Sequence, residues 1–122
     1  MAIAFTIAEN KPNKSKLFKN KWVLFPDKIR RYLNANEKDF SSNVAILLAL
    51  DEYDDTLLYK DRIEQLMQFC AELQKSVEDY SIFSKCKPLG VKKADLQEFA
   101  NELSALLQFA LDNGEIILSV GD

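Results

Sequence analysis

The 122-residue chain is 48% hydrophobic and 29% charged with a net charge of −3, the balance of one globular domain that can bury a core without staples. It contains no histidine, which excludes Ser-His-Asp and Cys-His nucleophilic sites and imidazole-based metal centres. Two cysteines are too few for a four-thiolate cluster, and three glycines are few for a fold of many tight turns, so a mainly helical chain is expected.

Ile3, Phe5 and Ile7 alternate with smaller residues, so 2–8 reads as a strand with one apolar face. The basic stretch that follows, KPNKSKLFKNKW, reads as a loop, with Phe18 and Trp22 available to stack on bases. Trp22 to Phe25 suits a short second strand. Pro26 fits the first position of a short helix carrying Ile29, Tyr32 and Leu33 on one side. Asp39 or Ser41 can cap the apolar segment 40–50. Periodicity does not separate a buried helix from a buried strand there; its length and its alanine and leucine content favour helix.

Ile63, Leu66, Met67, Cys70, Leu73 and Val77 follow the three-four spacing of a buried helical stripe. Leu96, Phe99, Ala100, Leu103, Leu106, Leu107 and Ala110 do the same. That second helix starts at a capping box of Asp95 and Glu98, or earlier near Lys92, and ends at Asn113-Gly114. Cys70 lies on the first stripe as a small hydrophobe, and Cys86 reads as an ordinary loop thiol between Lys85 and Lys87. EIILSV reads as a strand near the carboxyl end. The expected fold is α+β and mainly helical, with three or four helices packed on a small sheet of N- and C-terminal strands, as one domain over 1–122.

No run approaches the ~18 apolar residues of a membrane span, and no basic segment precedes MAIAFTIAENK as in a secretion signal. The chain is expected to be soluble and cytoplasmic. Gly90, Gly114 and Gly121 stand too far apart for a phosphate-binding loop, so no cofactor is expected. Charge is uneven: residues 1–34 carry a net +6 and residues 35–122 a net −9.

The most acidic stretch is LDEYDDTLLYKDRIE, residues 50–64, with six acids against Lys60 and Arg62. Three readings compete for it. Asp54, Asp55 or Thr56 can cap the helix that follows, a role best suited to Asp55 and Thr56. A calcium loop needs glycine at its sixth position and glutamate at its twelfth; counted from Asp51 these are Thr56 and Arg62, so only a looser magnesium site is left. The third reading is a contact surface, in which acids steer a basic partner and Tyr53 anchors it.

Leu50-Asp51-x-Tyr53-x-Asp55-Thr56, the amphipathic helix after it, and a strand followed by Gly121-Asp122 together resemble bacterial immunity proteins of contact-dependent growth-inhibition and other polymorphic toxin systems. The resemblance covers roughly 46–75 and 114–122; where many relatives carry Pro and Gly, this chain has Glu52 and Asp54. It implies a protein that binds and blocks a cognate toxin in the cytoplasm without catalysis. It also implies that Asp51, Tyr53, Asp55 and Thr56 shape the loop. The expected partner is a basic toxin domain, a nuclease whose active site is covered, with contact through Glu52, Tyr53, Asp54, Asp61 and Glu64. No direct contact with nucleic acid and none with a membrane is expected. The alternative is a small nucleic-acid-binding or regulatory module using the basic Lys11–Arg31 region.

Overall fold

The computed structural model describes residues 3–8 and 22–121. Strand β1 (Ile3–Ile7) pairs with β2 (Val23–Phe25) and with β4 (Ile117–Gly121), and β4 pairs in turn with β3 (Thr56–Leu58). All pairings are antiparallel, and the order is β2-β1-β4-β3. The two strands expected from the chain ends are therefore the two central ones. Five α-helices accompany the sheet rather than three or four: α1 (Asp27–Ala35), α2 (Val44–Leu48), α3 (Lys60–Glu78), α4 (Tyr80–Phe83) and α5 (Lys93–Asn113). The helix beyond the expected four is α4, four residues long and too short for a periodic stripe, while α2, five residues long, is a shortened form of the helix expected over 40–50. No helix among the described residues is long and apolar enough to cross a membrane.

Alternation along the strands decides which side chains meet the helices. Ile3, Phe5, Ile7, Val23, Phe25, Leu58 and Ile117 are buried and join α3 and α5 in one hydrophobic cluster. Phe25 stacks on Phe99 of α5 at 5.2 Å between ring centroids, and Phe5 stacks near Phe25 at 6.2 Å, fixing the sheet on the helix layer. On α3 the buried stripe includes Phe69 as well as the expected residues, while Met67 is only half-buried.

Helix ends depart from the sequence reading at α1 and in the segment 40–50, while α5 takes the earlier of its two expected starts, near Lys92. Pro26 precedes α1 rather than opening it; its backbone is extended (φ −64°, ψ 146°), and its carbonyl accepts the Ile29 and Arg30 amides. The segment 40–50 is helical only over Val44–Leu48, with Asp39 in a preceding 3₁₀ turn and the Ser41 hydroxyl accepting the Asn43 amide at 3.3 Å. Helix α5 starts after Lys92, whose amide donates to the Asp95 carboxylate at 3.0 Å, so Asp95 is the end of the cap and not its beginning. That amide, and then the Lys28 ammonium at 3.2 Å, hold the Asp95 carboxyl below the usual carboxylate range. The far end of α5 closes as expected on Gly114 in the left-handed region (φ 63°).

Candidate functional site: an acidic turn and the outer sheet face

The acidic stretch does not sit at the mouth of a helix. Strand β3 intervenes, placing ~10 Å of extended chain between the turn 51–55 and the start of α3. Asp55 and Thr56 therefore do not cap α3: Tyr59 occupies the cap position without a side-chain bond, and its carbonyl accepts the Ile63 amide. The physical reason is pairing. Thr56 and Leu58 lie opposite Ser119 and Ile117, and a β-branched residue followed by two leucines fits a half-buried ladder better than a helix start.

The turn is built from its own carboxylates. Asp51 Oδ1 accepts the Tyr53 amide at 2.8 Å, an Asx turn, and Asp54 Oδ1 accepts the Asp55 amide at 2.8 Å. From β4, the Gly121 amide donates to the Asp54 carbonyl at 3.1 Å. A β-carbon on Gly121 would stand 2.5 Å from the Asp54 nitrogen and 2.6 Å from the Asp51 and Asp54 carbonyl oxygens. Only glycine allows this approach. From α1, Arg30 donates to the Leu48 and Leu50 carbonyls at 3.0 and 2.9 Å, and its Nε lies 3.6 Å from Glu52. Helix α1, the turn and β4 are thus tied together by backbone as much as by charge.

This arrangement sorts the expected contact residues. Tyr53 is 73% exposed, and Asp54, Asp61 and Glu64 are exposed with no cation within 4 Å among the described residues. Glu52 differs, being half-buried and facing Arg30. Asp61 and Glu64 lie on the first turns of α3, beyond β3, so the five residues form two groups and not one. Among the described residues no three Asp, Glu or Cys side chains converge to hold a metal ion.

The sheet face turned away from α3 and α5 adds a second feature. Register places Leu24, Ala4 and Val120 in one row and Thr6, Leu118 and Leu57 in the next. Leu24 is 59% and Leu57 44% exposed; Trp22 and Tyr59, two residues outward along β2 and β3, are 50% and 56% exposed. Thr6 is buried. The large exposed apolar side chains of this face thus stand along its two edge strands, while Ala4, Leu118 and Val120 between them are half-buried. Sequence reasoning missed this arrangement because β3 was not recognised, so the parity of Leu57 and Tyr59 was unreadable.

The basic region divides. Lys11, Lys14, Lys16, Phe18, Lys19 and Lys21 lie outside the described residues. Of the others, Lys28 pairs with Asp95, Arg31 with Asp27, and Arg30 serves the acidic turn. The flanking residues Ala8 and Trp22 stand at the sheet end that holds Ile117 and Leu58, while the acidic turn adjoins Gly121 at the other end.

Cys70 is buried and Cys86 is 8% exposed. The loop thiol is thus enclosed, with its Sγ 3.7 Å from the Ile82 carbonyl. Comparison with protein families, curated proteins and solved structures finds no match to this chain.

Proposed function

We propose that the protein is a non-enzymatic immunity protein that binds a cognate, cytoplasm-acting toxin with a basic surface, a nuclease in the leading version, and covers its active site. The observation that carries this reading is the pairing of uncompensated acids with exposed aromatic and apolar groups on one molecule. Asp54, Asp61 and Glu64 supply unneutralised charge, which steers a basic partner. Tyr53, Leu57 and Tyr59 supply the apolar contact that holds it. A nuclease needs a positive surface for phosphate, and an acidic inhibitor competes for it.

The rival reading is a nucleic-acid module built on Lys11–Arg31. Engagement of Lys28, Arg30 and Arg31 within the fold weighs against it, because a phosphate contact would have to displace those partners. The test is co-expression with the toxin domain encoded by the neighbouring open reading frame, followed by co-purification and a nuclease assay. Protection with a stoichiometric complex is expected. Submicromolar, salt-sensitive binding to random RNA or DNA with no such complex would instead establish the rival.

A further inference from the structure

The free side of β3 is an unprotected strand edge. The Gly121 amide bonds to the Asp54 carbonyl, and bonded pairs recur at every second residue of an antiparallel ladder. Thr56–Ser119 and Leu58–Ile117 are therefore the bonded pairs, and the Leu57 amide and carbonyl point away from β4. The other side of β4 agrees: the Ala8 amide bonds to the Ile116 carbonyl, which assigns Leu118 and Val120 to β1 and leaves Ile117 and Ser119 to β3. On the same free edge, the Asp55 carbonyl and the Tyr59 amide, in extended backbone (φ −92°, ψ 177°), have no backbone partner among the described residues. Proteins usually blunt such an edge with proline or lysine; Thr56-Leu57-Leu58 contains neither. The helix side of the edge is open too. A cavity of about 410 Å³ is lined there by Ala45, Ile46, Ala49, Thr56, Leu58 and Gln65, with no residue of β4.

We propose that this edge pairs with the same edge of a second copy of the chain, the two β3 strands running antiparallel about a two-fold axis at Leu57. Symmetry sets the register. Leu57 faces Leu57 of the second copy, Thr56 faces Leu58, Asp55 faces Tyr59 and Asp54 faces Lys60. Main-chain bonds form between the two Leu57 residues in both directions, and from each Tyr59 amide to the Asp55 carbonyl of the other copy. The Asp55 amide is not needed, being already held by Asp54 Oδ1 at 2.8 Å. Charge favours the same register. Asp54 and Lys60 are both exposed, and neither has an opposite charge within 4 Å among the described residues. Side chains directly opposite across a strand pair stand about 5 Å apart, so the two unpaired charges of each copy meet those of the other. The edge at β2 lacks this fit: the same construction about Leu24 needs an amide from position 26, which is Pro26. Pairing at β3 joins two four-stranded sheets into one and leaves Leu57 and Tyr59 on the outer face. Asp61 and Glu64 lie beyond the paired residues and stay available to a basic partner. The dimer goes beyond the immunity reading and does not depend on it.

The test is sedimentation velocity of the full chain from about 1 μM to about 1 mM, with NMR amide exchange at Leu57 and Tyr59. The wild type should pass from monomer to dimer across the series, and both amides should exchange more slowly as the dimer forms. Lys60→Glu sets acid against acid and should raise the dissociation constant about tenfold or more. Asp54→Lys should do the same, and the double variant Asp54→Lys/Lys60→Glu should restore the dimer. Leu57→Pro should abolish it by removing the central donor at an edge position that accepts proline. Leu24→Pro, the same change on the other edge, should leave it intact. Thermal melts separate loss of pairing from loss of fold, and the charge swap decides the matter if Leu57→Pro does not fold. A wild type that stays monomeric throughout overturns the proposal. So does a dimer lost in Leu24→Pro but kept in Leu57→Pro, or a folded charge-swap variant no tighter than the two single variants. A Leu57 amide protected only in complex with the neighbouring-frame toxin domain would give the edge to that partner and overturn the second copy.

Discussion

Gly121 shows how one missing side chain can define a surface. Its α-carbon rests against the backbone of the acidic turn, so the turn takes its shape from a strand more than sixty residues away in sequence. Gly121→Ala has no flexible neighbour to push aside, since the opposing atoms are main-chain. It should destabilise the fold by about 1–3 kcal/mol, read from urea denaturation, and blur the NMR signals of 51–55. An unchanged melt would mean that the turn moves freely away from β4. Cys70 offers a different test. Burial pushes its thiol from 9.0 up to about 12, so the folded state holds a proton that the unfolded state releases. The sign follows from linkage: this contribution is complete below about pH 9 and is lost as pH rises toward 12. Urea titrations at pH 7 and pH 10 should show lower stability at pH 10. Cys70→Ala should lose part of that difference, because its own side chain no longer titrates.

The two long helices carry the largest share of the core, and their stripes were readable from spacing alone. Leu103 is fully buried on α5; Leu103→Ala should cost about 2–5 kcal/mol through the cavity it opens, measured by chemical denaturation. A loss under about half a kilocalorie would mean that this face relaxes or is not packed. What could be read and what could not divide along a physical line. Stripes of five to seven apolar residues, the alternation in β1 and the left-handed stop at Gly114 are local signals, written in the residues that obey them. Strand β3 is not local: Thr56-Leu57-Leu58 is extended because β4 offers it a partner, and nothing in three residues announces that. Missing it turned strand residues into a supposed helix cap and hid the parity of Leu57 and Tyr59. Arg30 was counted with the basic segment for the same reason, since its acceptors Leu48 and Leu50 are brought near only by the fold.

At the scale of the molecule, the chain carries 16 basic and 19 acidic groups, a net −3, and Asp54, Asp61 and Glu64 have no cation within 4 Å among the described residues. A basic partner should approach under attraction over about a Debye length, ~8–10 Å at ordinary salt. Changing Asp54, Asp61 and Glu64 together to lysine should slow association with the toxin about tenfold or more at low salt and narrow that gap at high salt. Thermal melts should shift little, since exposed charges away from caps change stability by about half a kilocalorie. Glu52 is left in place because a lysine there would face Arg30 and confuse folding with binding. A folded triple variant that associates at the wild-type rate in low salt would remove charge steering from the account.

The strand order also sets a timetable. Ile3–Ile7 pairs with Ile117–Gly121, so the centre of the sheet joins residues 110 and more positions apart, a closure that comes late and slowly in folding. On the ribosome, β1 and β3 wait with one edge each unpaired until β4 emerges, and the acidic turn waits with them for Gly121. The nascent chain can thus collapse its helices early, yet the 51–55 turn gains its backstop only when residue 121 is free.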